Sequence, residues 1–110
     1  MSVYKKWAAG MDRRDATALV DCLHDDFTFV RHQTGTTMNK AEMSEMFEGF
    51  MKSESVSFGD NRCLYENDEV MIEHTFIDFA DGSREAVLSF HQLKDAQIIR
   101  TETGATAIAK

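Results

Sequence analysis

The chain has 110 residues, 43% of them hydrophobic and 28% charged, with a formal net charge of −7. That length supports one core-bearing domain spanning residues 1–110, and the acidic balance excludes a phosphate-binding surface, so nucleic acid is not an expected partner. No apolar run approaches the roughly 18 residues of a membrane span, and MSVYKKWAAG lacks the apolar core of a signal peptide, so a cytoplasmic protein without a membrane partner is expected. Cys22 and Cys63 form no CxxC or zinc spacing and read as two reduced, buried thiols. The chain has no proline, which suits long unbroken β-ladders.

Residues 2 to 10 read as a short helix with Val3, Trp7 and Met11 on one face, ended by Gly10. Asp12 or Asp15 can cap the next helix. That helix carries Ala16, Leu19, Val20, Leu23 and Phe27 at helical spacing and closes at Asp25-Asp26. Phe27 to His32 reads as a first strand, and Gln33 to Thr37 as a turn with room for a short return strand. Asn39 opens the most clearly patterned helix. Asn39 with Glu42 resembles a capping box, and Met38 with Met43 stands at hydrophobic-staple spacing. Met43, Met46, Phe47, Phe50 and Met51 then form a core-facing stripe. Residues 54 to 65 read as a more polar strand, bulged at Gly59.

The centre of the chain is Asp68 to Lys94. Two runs rich in Val, Ile, Phe and Thr flank Asp81-Gly82, the strongest short-range hairpin signal. Each arm of about eleven residues spans roughly 35 Å at ~3.3 Å per residue. A two-residue loop would set Asp78 opposite Glu85, with His74 and His91 on one face. A three-residue Ala80-Asp81-Gly82 loop, with Gly82 in the left-handed region, sets Asp78 opposite Arg84 and His74 opposite Leu88. Opposite charges favour the second register by roughly 0.2–1 kcal/mol. Gln97 to about Ala107 is the last strand. Helices early and strands late indicate an α+β fold.

The Trp7 helix, AGMDRRDATALVDCLHDDFTFV, the Asn39 helix and the DG hairpin followed by LSFHQLKDAQIIRTETG resemble, in that order, the nuclear transport factor 2-like superfamily. Within it the chain resembles the SnoaL-like and ketosteroid-isomerase-like proteins. The resemblance covers about residues 3 to 107. It implies a single SnoaL-like domain: a curved antiparallel sheet wrapped around the N-terminal helices, cone-shaped, with an internal pocket. Members include isomerases, cyclases, dehydratases, hydrolases and proteins without catalysis, so fold alone does not deliver function. The ketosteroid-isomerase-like aspartate base falls at Arg31 or His32. The tyrosine oxyanion donor falls near Trp7, and the second acid near Leu88. These departures argue against steroid isomerase chemistry.

In the preferred register Ile72, His74, Phe76, Asp78, Arg84, Ala86, Leu88 and Phe90 share a face, which the resemblance makes the concave one. It also points Ile99, Thr101, Thr103 and Ala105 inward and Ile98, Arg100 and Glu102 outward. His91 then lies outside. His74, mid-strand among apolar residues, and His32, at the strand end where the family carries its base, are the candidate acid–base groups. Trp7, Phe29, Phe76, Leu88, Phe90, Thr101 and Thr103 are the candidate substrate-binding residues. Four scattered histidines without ligand spacing argue against a metal, and the absence of a Gly-rich phosphate loop or nucleophile elbow argues against the cofactors those motifs hold.

The expected function is binding of a small, largely apolar molecule with a carbonyl or hydroxyl group, with cofactor-free acid–base chemistry of the isomerase, cyclase or dehydratase type. The alternatives are a non-catalytic ligand-binding or dimerisation module and a subunit of a larger assembly. The apolar character of the outer sheet face predicts a homodimer packed through it.

Overall fold

The computed structural model describes residues 2–53 and 55–108. In chain order the elements are α1 (Val3–Asp12), α2 (Ala16–Asp21), β1 (Leu23–Arg31), β2 (Thr36–Asn39), α3 (Lys40–Lys52), β3 (Ser57–Glu66), β4 (Val70–Asp78), β5 (Arg84–Lys94) and β6 (Gln97–Ala107). The strands form one sheet in the order β2-β1-β6-β5-β4-β3. This is the α+β fold expected. The sheet is mixed rather than wholly antiparallel, because β1 and β6 run parallel. The strand expected over 54 to 65 is β3; position 54 lies outside the described residues.

The hairpin loop sets the register of the sheet. Phe79 N–H donates to Ser83 at 2.9 Å and Gly82 N–H to Phe79 at 3.0 Å. Gly82 sits at φ +87°, where a Cβ would be strained. The three-residue loop pairs Asp78 with Arg84 and His74 with Leu88, as the charge argument expects, and Arg84 Nε lies 3.6 Å from Asp78 Oδ1.

The helix start at Asn39 also follows its sequence. The Asn39 side chain accepts from Glu42 N–H at 2.9 Å and Glu42 accepts from Asn39 N–H at 3.0 Å, a complete capping box. At the other end Arg14, itself at φ +52°, reaches the end of α3. Its guanidinium donates to the carbonyls of Phe50, Met51 and Ser53 at 2.7, 3.3 and 2.8 Å. These carbonyls stand at the helix C-terminus, where intrahelical donors run out; Phe50 also accepts from Ser53 N–H at 3.2 Å and Ser53 from Val56 N–H at 3.4 Å, and one cation ties the α1–α2 corner to the end of α3.

Two expected boundaries are corrected. The second helix ends at Asp21, and Leu23 to Asp26 belong to β1. Leu23 and Phe27 are both buried, and a spacing of four satisfies helical and strand periods alike. The parallel ladder decides between them: Ile98 N–H donates to Cys22 at 2.7 Å and Leu23 pairs with Ile98. In β6 the pairing slips between Gln92–Arg100 and Leu93–Ile98, leaving Ile99 as the extra residue. Ile98 is therefore fully buried, contrary to its expected outward position, and Ile99 does not share the inward face with Thr101.

The core joins Val3 and Trp7 of α1, Leu19 of α2 and Met43 and Phe47 of α3 to Met71, Leu93 and Ile98 of the sheet. The helices cover the face of β4 and β5 that carries Met71, Glu73, Thr75, Val87, Ser89, His91 and Leu93, all buried. The expected faces are thus exchanged: Ile72, His74, Phe76, Leu88 and Phe90 lie on the outer side, with Leu88 47% and Phe90 40% exposed. Among the described residues no helix is long and apolar enough to cross a membrane.

Candidate functional site

Between α3 and the covered face of the sheet lies a cavity of 380 Å³. Its roof is the α3 stripe: Met43, Met46, Phe47, Phe50 and Met51 all line it. Trp7 closes one side, and Phe29, Phe58, Ile77 and Phe79 complete an apolar wall.

The floor is polar, and the ladders explain why. Glu73 pairs with Ser89, Ser89 with Thr103, Thr103 with Arg31 and Arg31 with Thr36. Paired residues project from the same face of a sheet. One transverse row therefore crosses four strand boundaries, and all five of its side chains line the cavity. The next row holds His91, Thr101 and Phe29, paired in the same way.

At one end of the floor Glu73 and His91 meet as diagonal neighbours. His91 Nε2 lies 2.8 Å from Glu73 Oε1, and His91 Nδ1 lies 2.7 Å from Thr101 Oγ1. Trp7 Nε1–H donates to Glu73 Oε1 at 3.0 Å, and Asn61 Nδ2–H to Glu73 Oε2 at 3.1 Å. Glu73 is 3% exposed, His91 2% and Thr101 4%. A neutral imidazole satisfies both of its bonds at once: Nε2–H donates to the carboxylate, and Nδ1 accepts from the threonine hydroxyl. Tyr4 O–H donates to Asn61 Oδ1 and extends the chain outward. Burial, then the Glu73 carboxylate, then Cys63 and Asp12, push the Tyr4 phenol up from its usual range and keep it a donor. At the far end of the row Arg31 pairs with Glu85 at 3.3 Å and with Gln33 at 3.0 Å.

The arrangement has the parts of a proton relay: a hydroxyl, an imidazole bonded to it, and a carboxylate that orients the ring and stabilises its cationic form, all three residues lining the cavity. One further hydroxyl stands out on the floor. Thr75 is 5% exposed, lines the cavity, and its Oγ1 has no hydrogen-bond partner among the described residues.

Of the residues the sequence suggested, Trp7, Phe29, Thr101 and Thr103 line the cavity. Phe76, Leu88 and Phe90 do not; they belong to the outer face. His74 also lies outside, edge-on to Phe76 with ring centroids 5.2 Å apart. His32 is exposed beyond the end of β1 and bonds Glu102 at 2.8 Å. Bonds from His32 and then Arg100 hold the Glu102 carboxyl below its usual range. Glu73 and His91 were not singled out from sequence, yet the correct register already made them diagonal neighbours on one face. Cys22 and Cys63 are free thiols, each pushed up mainly by burial. Cys63 is only half-buried, unlike the buried thiol expected.

The SnoaL-like domain family model matches residues 4–101. Solved structures share the fold at low identity. A candidate ketosteroid isomerase from Kribbella flavida is 13% identical, with a TM-score of 0.78, covering 98% of this chain and 78% of that one. An NTF2-like protein of unknown function from Mesorhizobium loti is 11% identical, with a TM-score of 0.81, covering 94% and 88%. A protein with a ketosteroid isomerase-like fold from Catenulispora acidiphila, solved in complex with trimethylamine, is 16% identical, with a TM-score of 0.67, covering 93% and 83%. No curated protein matches the chain.

Proposed function

The chain belongs to the SnoaL-like domain family, and on that premise we propose that it binds a small, largely apolar molecule in its cavity and moves a proton on it without a cofactor. The observation that carries this reading is the buried Glu73–His91–Thr101 chain ending on an apolar cavity. The Thr101 hydroxyl takes a proton from the carbon next to a ligand carbonyl while its own proton passes to His91 Nδ1. Glu73 then holds the imidazolium formed, and floor hydroxyls hold the oxyanion.

The test is deuterium uptake by 1-indanone in D2O, followed by proton NMR. The protein is expected to accelerate exchange at the carbon beside the carbonyl, and His91→Gln to slow it by about 100-fold or more. Equal exchange by the two proteins would overturn the relay. Binding without exchange would favour the second reading, a non-catalytic ligand-binding module. One feature supports that reading: both His91 nitrogens already have partners within the protein.

The expected homodimer becomes a proposal on the residues that the outer face carries in the structure. Tyr65 pairs with Ile72 and Ile72 with Phe90, so an apolar row crosses the outer face. Tyr65 is 55% exposed, Leu88 47% and Phe90 40%. A second copy laid on this row would remove it from water. Sedimentation is expected to show a dimer for the parent at micromolar concentration and a monomer for Phe90→Glu. A parent that sediments as a monomer there would sink the proposal.

A further inference from the structure

We infer that the middle of the cavity floor is a subsite for one uncharged hydrogen-bonding group of the ligand, a carbonyl or hydroxyl, held by Thr75 with Ser89 and Thr103. The inference rests on the cavity being a ligand site, and it names the chemistry that site selects.

Thr75 carries the argument. A buried hydroxyl without a partner is costly, and native cores rarely keep one. Thr75 is 5% exposed and its Oγ1 has none, although valine would fill the same volume without that cost. Thr75 lines the cavity. Rotation about χ1 between staggered wells exchanges Oγ1 with Cγ2, so the hydroxyl can turn to a ligand without moving the backbone.

The neighbours define the class. Ser89 pairs directly with Thr103 across the β5–β6 ladder. It lies diagonal to Thr75, whose direct partner is Val87. Directly paired Cβ atoms stand roughly 5 Å apart and diagonal ones roughly 7 Å, so one ligand oxygen can reach two of the three hydroxyls. Hydroxyls donate and accept equally and bring no charge. The formal charges nearby are already engaged: Glu73 by Trp7, Asn61 and His91, and Arg31 by Glu85 and Gln33. A carboxylate ligand would meet the Glu73 carboxylate, and among the described residues lining the cavity the one Lys or Arg, Arg31, is already engaged. An uncharged group meets no such penalty.

Three probes of one ring system test this by calorimetry: 1-indanone, indane and indane-1-carboxylate, each against the parent, Thr75→Val and Thr75→Ser. The parent is expected to prefer indanone over indane by about tenfold, the worth of one net hydrogen bond. Thr75→Val should lose that preference while still binding indane, and Thr75→Ser should keep it. Without ligand, Thr75→Val should melt higher than the parent by about 4–8 °C, because the unpaired hydroxyl is gone. An unchanged preference in Thr75→Val overturns the subsite, as does a lowered melting temperature, which would mean that Oγ1 is held within the apo protein or by an ordered water only. Carboxylate binding as tight as ketone binding overturns the uncharged class. Indane uptake with no preference for the ketone overturns the subsite alone and leaves the cavity reading standing. A parent that takes up none of the three overturns both.

Discussion

Glu73→Ala is expected to lower stability by about 3–5 kcal/mol, because buried donors left without their acceptor cost about 1–3 kcal/mol each. Three donors lose their acceptor together: Trp7 Nε1–H, Asn61 Nδ2–H and His91 Nε2–H. Trp7 Nε1–H and His91 Nε2–H cannot turn to bulk water, because Trp7 is 6% exposed and His91 2%. Burial also removes the solvent screening that makes surface pairs weak. Urea unfolding measures the loss. The only tryptophan is Trp7, so its fluorescence reports the same site. The double variant Glu73→Leu/His91→Phe should recover part of the loss, since it removes the imidazole donor together with its acceptor and refills the site with apolar side chains of similar volume, leaving only Trp7 Nε1–H and Asn61 Nδ2–H of the three donors unpaired. A Glu73→Ala loss below about 1 kcal/mol would show that the network contributes little beyond surface-pair energies.

The same residues mark where sequence reading succeeded and where it stopped. The hairpin register was legible because its determinants are local: Gly82 fits the left-handed position, and Asp78 gains from facing Arg84. The Asn39 cap was legible for the same reason. The choice of inner face was not, because both faces of β4 and β5 are apolar enough to be a core. Ile72, Phe76, Leu88 and Phe90 outbid Met71, Thr75, Val87 and Ser89 on hydrophobicity, yet they lie outside. What puts Glu73 and His91 inside is satisfaction by partners distant in sequence. Trp7 stands 66 residues from Glu73, and His91 stands 18 from it. No periodicity carries that information. A usable signal was nonetheless present: with the register fixed, Glu73 and His91 form a complementary diagonal pair on the face then assigned to the outside. A buried pair of that kind is a stronger marker of a site than a lone histidine among apolar neighbours such as His74.

Trp7→Ala should cost about 3–5 kcal/mol, the usual range for emptying a buried indole site. The ring is held from three directions. It sits edge-on to Phe47 with centroids 5.6 Å apart and to His91 at 5.7 Å, and its N–H donates to Glu73. Trp7→Phe separates these contributions: it keeps an aromatic ring against Phe47 and loses the donor, so it should cost about 1–3 kcal/mol. Because these substitutions remove the indole fluorophore, circular dichroism during urea unfolding is the measurement. Trp7→Phe and Glu73→Gln should not add, since both disturb one hydrogen bond, and a coupling of about 0.5–3 kcal/mol is expected from the double-mutant cycle. Additivity would mean that the indole contributes through packing alone. The cavity should respond in the opposite sense to stability: Trp7 is part of its wall, so Trp7→Ala enlarges it. A chain that remains folded after Trp7→Ala should accept ring systems larger than indane that the parent excludes, while its preference for a ketone, set on the floor by Thr75, should persist.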